Sequence, residues 1–137
     1  KPGGRLATSV RNIPEKNFWV TATMGAIRKN INLPDAPSDA PGIFRCAKDG
    51  LMTDLFLQVG FKNILQIEIE GKLNCKTADR YWNIMNEIAA PVVAGMSKAN
   101  DKMKEKIRED VYQSLYEKFP DKDIRIDSSA LVIYGEK

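Results

Sequence analysis

Hydrophobic positions change their period several times along this chain. Arg5-Leu6-Ala7-Thr8-Ser9-Val10 reads as a strand over 5–11, opened by the turn residues Pro2-Gly3-Gly4 and broken by Asn12-Ile13-Pro14. Phe18, Trp19, Ala22, Ala26 and Ile27 then recur at helical spacing, which predicts a helix over 15–31. Residues 33–42 hold three prolines and a glycine, so they read as a loop and as the best candidate for a mobile connection. Asp49 is placed to cap a helix over 49–59, with Leu51, Met52, Leu55, Phe56 and Val59 on one face and Gly60 ending it. From Phe61 to Leu73 the period falls to two. Leu65, Ile67 and Ile69 point one way and Gln66, Glu68 and Glu70 the other, so 62–73 reads as a strand with one wet face, at a sheet edge.

Thr77 is placed to cap the next helix, whose inward positions are Tyr81, Trp82, Ile84, Met85 and Ile88. Pro91 requires either a new helix or a kink. From Val92 to Phe119 the pattern is helical again, with Met103, Ile107, Val111, Leu115 and Phe119 every four residues, and Pro120-Asp121 ends it. The helical region is thus 77–119. A last strand is expected over 123–135, and its Ala130–Tyr134 stretch, apolar on both faces, places it centrally. The sum is an α/β chain with three strands, a thin sheet for its helices, in which at least one strand flank lacks a partner.

Composition narrows the functions open to such a chain. Its 137 residues make about one domain, and 43% hydrophobic with 28% charged residues is ordinary for a soluble globular protein. No apolar run approaches the roughly 20 residues of a membrane span. A net charge of +3, from 21 basic and 18 acidic residues, is too balanced to argue for nucleic acid. Lys98 to Arg108 is interleaved with Asp101 and Glu105 and reads as a solvated helix face. There is no histidine, which removes Ser-His and Cys-His nucleophiles and the usual zinc sites. Cys46 and Cys75 read as idle thiols in a reducing cytoplasm, with a disulfide or a reactive thiol as the alternatives. Glu68 and Glu70, on the wet strand face, and Glu87 suggest acid–base carboxylates less readily than plain surface.

Several segments, in order, resemble one family. Lys1-Pro2-Gly3-Gly4-Arg5-Leu6 before a strand, Gln58-Val59-Gly60-Phe61 before the next, Tyr81-Trp82, Ala90-Pro91 and the closing Val132–Lys137 are similar to the C-terminal half of class I S-adenosylmethionine-dependent methyltransferases of the small-molecule, type 11 kind. The resemblance covers nearly the whole chain and implies part of a doubly wound, Rossmann-like sheet whose last strand is antiparallel. It also implies a small organic methyl acceptor and, as cofactor, S-adenosylmethionine. The family's Gly-rich loop between strand and helix has no counterpart here, since the nine glycines form no G-x-G. No residue is therefore assigned to the cofactor, and a doubly wound cofactor domain is expected before Lys1.

The resemblance and the residue types together single out substrate-side candidates. Arg11 and Asn12 end the first strand, where the family's methyl-transfer pocket lies, although Asn12-Ile13-Pro14 also makes a plain turn. Arg11 stands where relatives often carry an aromatic residue. Trp19 and Met24 lie on a helix similar to the family's substrate lid, where helix core is the competing reading. Phe44, Tyr81 and Trp82 offer apolar walls, and Arg45 offers a cation for an anionic substrate. No catalytic residue and no metal ligand is assigned. The rival expectation is a non-catalytic binding or dimerisation module of the same fold, pairing through an open strand edge with a second copy or with a separate N-terminal half. An unrelated soluble α/β domain is the third.

Overall fold

The computed structural model describes residues 1–33 and 40–137, so most of the loop expected over 33–42 lies outside the described residues. Three strands, β1 (Arg5–Arg11), β2 (Lys62–Lys76) and β3 (Ile124–Glu136), form one open sheet in the order β1-β3-β2. β1 pairs antiparallel with β3, from Arg5 opposite Glu136 to Arg11 opposite Ala130. On the other side Asn63 meets Glu136 (3.1 Å), Ser129 meets Glu68 (2.6 Å) and Lys72 meets Asp127 (3.5 Å). Partner numbers rise on β2 as they fall on β3, so that pairing is antiparallel too. The α/β class, the three strands and the antiparallel, central last strand are as read from the sequence. Among the described residues β1 and β2 are both edges.

The chain divides into two compact units. The first holds Lys1–Asn17, the described residues 40–71, and Ser128–Lys137. Its helix α2 (Leu51–Gln58) starts one residue later than Asp49 would cap it. Gly50, at φ 73, is the N-cap and contributes no side chain, while Gly60 at φ 81 ends the helix as expected. Phe56 is the buried residue of α2 and packs on Phe61, ring centroids 5.2 Å apart. Gly135 of β3 makes room for that pair, because a Cβ there would lie 2.9 Å from Phe56 Cδ1.

Direct partners in a sheet share a face, so Leu65, Ile67 and Ile69 of β2 lie with Ala130, Val132 and Tyr134 of β3 and with Ala7, Ser9 and Arg11 of β1. This face is open. Leu65, Ile67 and Ile69 are 53%, 46% and 53% exposed, and Ala7 and Ser9 are exposed as well. The alternation in β2 was legible and Gln66, Glu68 and Glu70 are exposed as expected, but the aliphatic side is exposed as well. Glu68, on the expected wet face, is also tied into the polar cluster described below.

The second unit holds α1 (Phe18–Asn30), α3 (Ala78–Ile88), α4 (Ala90–Met96) and α5 (Asp101–Lys118), with the inner ends of β2 and β3. Thr77 caps α3 as expected, its Oγ1 accepting the Arg80 N–H at 3.2 Å. Pro91 sits in the first turn of α4, where its missing N–H costs nothing. The helix expected from Val92 to Phe119 is two helices. It breaks after Met96, and Asn100 restarts it by accepting the Met103 N–H at 2.9 Å. The buried core is Val20, Ile27, Tyr81, Met85, Val92, Ile107, Val111 and Leu115, with Cys75, Ile124 and Ile126 from the strands. Ile88 and Met103, expected inward, are exposed. No helix of the described residues is long and apolar enough to cross a membrane.

Candidate functional site

The most connected polar cluster of the first unit lies where β1 ends. Pro14 opens a 3-10 turn, Pro14–Lys16, closed by the Asn17 N–H donating to Pro14 O at 2.9 Å. That turn folds the chain back so that Asn12 and Asn17 both face Ser129 of β3. Asn17 is fully buried. Its Nδ2 reaches Asn12 O, Ile13 O and Ser129 O, each at 3.1 Å, and its Oδ1 accepts the Ser129 N–H at 3.2 Å. Asn12, also buried, accepts the Ile13 N–H at 2.8 Å and donates through Nδ2 to Ser129 Oγ at 2.9 Å and Glu68 Oε1 at 2.8 Å.

Glu68 of β2 completes the cluster from the opposite edge of the sheet. Its Oε1 accepts the Ser129 hydroxyl at 2.6 Å, and the Lys16 ammonium donates to both carboxylate oxygens at 2.7 Å. Lys16 first, then Ser129, holds the Glu68 carboxyl below its ordinary value, against a smaller opposing effect of desolvation. Glu68 is therefore ionised at neutral pH and a weak base. Ser129 is buried and spends its proton on Glu68, so it is not set up as a nucleophile. What the arrangement can do is hold a fixed carboxylate, an ammonium and a sheet end in register, which positions a polar ligand rather than moving its protons.

The eight residues singled out from sequence divide evenly between the units. Arg11, Asn12, Phe44 and Arg45 fall in the first, and Trp19, Met24, Tyr81 and Trp82 in the second. Arg11 is exposed at the end of β1, and Phe44 and Arg45 are half-buried at a 3-10 turn, Arg45–Ala47, that packs on β1. Trp19 and Met24 are half-buried on α1, as is Trp82 on α3. Tyr81 departs from the expectation of a pocket wall. It is fully buried, and its hydroxyl is shared with Thr23 Oγ1 and Trp19 O, each at 2.8 Å. Burial drives its phenol pKa far up. Lys16, Asn17 and Ser129 were not singled out for chemistry, and Glu68 was weighed as an acid–base carboxylate and read as surface. No local signal marks them, because Asn17 and Ser129 are 112 positions apart.

The second unit carries a groove of about 380 Å³ between α1 and α5, lined by Phe18, Gly25, Lys29, Asp110, Gln113 and Glu117 among others. None of the sequence candidates lines it. Asp110, buried at its edge, accepts from Asn30 at 2.7 Å and pairs with Lys29 at 3.2 Å, with Lys106 at 3.5 Å. Among the described residues no group of histidine, cysteine, aspartate or glutamate is placed to hold a metal ion. No protein-family model matches the chain, and no curated protein matches it either.

Proposed function

We propose that these residues form the substrate-binding, C-terminal portion of an S-adenosylmethionine-dependent methyltransferase acting on a small organic acceptor. The strand order supports this reading. β3, last in sequence, lies between β1 and β2 and antiparallel to both, in keeping with the antiparallel last strand that the type 11 resemblance implies. Open α/β sheets collect ligands at the carboxyl ends of their strands. The Asn12 cluster occupies that end of β1 and would supply the polar side of the acceptor pocket.

The described residues do not fit the cofactor itself. A backbone cradle needs glycines between a strand and the helix after it. The positive-φ glycines Gly3, Gly50 and Gly60 instead precede β1 or flank α2, and the turn after β1 is Asn12-Ile13-Pro14. In this reading the methyl donor is held by other residues, and this portion orients the acceptor and excludes water.

The coding sequence ahead of Lys1 tests the proposal. We expect an in-frame strand, Gly-rich loop and helix, and a longer product that binds S-adenosylmethionine saturably in calorimetry while residues 1–137 alone give no heat. A frame without such a segment, or a longer product that does not bind, overturns the reading. A second reading, a non-catalytic binding or dimerisation module of the same fold, is favoured by the outer edge of β1, which pairs with no strand among the described residues. A concentration-dependent dimer in sedimentation, with no cofactor binding by the longer product, would select it.

A further inference from the structure

Asp49 reads in the sequence as a helix cap, yet the fold gives it no such role. Gly50 caps α2 instead, and that cap makes no side-chain hydrogen bond. Asp49 is exposed in the turn before the helix, and among the described residues its carboxylate meets neither a donor nor a cation. The Gly50 N–H likewise donates to no group among the described residues, whereas the Leu51 N–H reaches Lys48 O at 3.2 Å and the Asp54 N–H reaches Gly50 O at 2.8 Å. A carboxyl group without a partner thus stands one residue before an amide without one, in a turn rather than in a helix or strand. Asp49 alone of the chain's aspartates is followed by glycine, and no asparagine is. Glycine has no Cβ to crowd the approach of the preceding side chain to its nitrogen. Asp127-Ser128 is the next most open pair, but Asp127 lies inside β3 and pairs with Lys72 at 3.5 Å.

We infer that Asp49-Gly50 is a site of spontaneous isoaspartate formation in the folded protein. The Gly50 nitrogen attacks Cγ of the protonated Asp49 carboxyl group. The N–Cγ bond forms, the Cγ–OH bond breaks, and the hydroxyl leaves with the amide proton as water. The product is a succinimide ring. Water then adds to the Asp49 main-chain carbonyl carbon and breaks its bond to nitrogen. The chain now runs through Cβ and Cγ, and the former carbonyl is a free α-carboxylate. One water is lost and one regained, so the mass is unchanged and no oxidant or enzyme is needed. Amide resonance makes the nitrogen a poor nucleophile, so the change takes weeks rather than minutes. It adds one backbone atom between Asp49 Cα and Gly50 N. The Leu51–Lys48 hydrogen bond spans that link and is lost, while the Asp54–Gly50 bond begins after it and stays. The disturbance falls on the turn between Arg45–Ala47 and α2, and spares the packing of Phe56 on Phe61.

Peptide mapping tests it, by liquid chromatography and mass spectrometry, after the folded chain has been kept for weeks at body temperature and neutral pH. A second species of equal mass is expected for the peptide holding Asp49, resistant there to a protease that cuts before aspartate but not before isoaspartate. Asp127 should remain unchanged over the same period. Asp49→Glu should lose the second species, because the longer side chain must close a larger and slower-forming ring. Its circular dichroism should match wild type, since Asp49 holds no partner that the variant could lose. Three results would overturn the inference: no equal-mass species at Asp49 in the folded protein, one that forms only in denaturant, or equal rates at Asp49 and Asp127.

Discussion

Replacing Asn17 by Ala removes the one amide that serves three carbonyls and the Ser129 N–H. Buried groups left without partners cost about 1–3 kcal/mol each at most. Neighbouring groups can relax onto one another, so the Asn17→Ala loss is set at about 2–4 kcal/mol, read from urea midpoints. Glu68 gives a pH-dependent test. Its partners hold its carboxyl below the ordinary 4.5, so the folded state binds that proton less readily than the unfolded chain. The stabilisation is full above pH 4.5 and fades as pH falls through the lower folded value. Wild type should therefore exceed Glu68→Gln in stability at pH 7, and the two should converge in acid. Neither role was legible in the sequence. Alternation placed Glu68 opposite Leu65, Ile67 and Ile69, but the Asn12 and Ser129 side chains that enclose it come from distant segments. Periodicity likewise showed that Tyr81 points inward and was silent on the Thr23 hydroxyl waiting there.

Elements were legible where one local cause decides them. The strand over 5–11 coincides with Arg5–Arg11, and the Thr77 cap and the Pro91 restart were as expected. The single helix from Val92 to Phe119 failed because its apolar repeat continues in phase across Ser97–Asn100, while Asn100 supplies a cap that hydrophobic spacing does not register. Asn100→Ala should cost about 1 kcal/mol in thermal or chemical unfolding. Between α1 and α4 the critical position is Gly95. A Cβ there would lie 3.0 Å from Ile27 Cγ2, inside a fully buried contact. Gly95→Leu should lower stability by about 1–3 kcal/mol through overpacking, despite leucine's better helix propensity, and equilibrium denaturation checks it.

At the scale of the whole molecule the two thiols report separately on the two units. Cys46 is half-buried in the first, and Cys75 is fully buried in the second with its thiol pKa pushed up by desolvation. Ellman's reagent should titrate one thiol rapidly in the native protein and two in denaturant. Fast reaction of both would show that the unit around Cys75 opens readily. The sheet order has a consequence of another kind, for how the chain comes to fold. Among the described residues β1 and β2 are not neighbours and each pairs with β3, so Arg5 meets Glu136 across a long stretch of sequence. On a ribosome, both strands emerge long before residues 124–136 exist to pair with them. The helices can form as they are made, from contacts near in sequence. The sheet must wait for residues 124–136 and then closes from its middle outward, a late and slow event of high contact order.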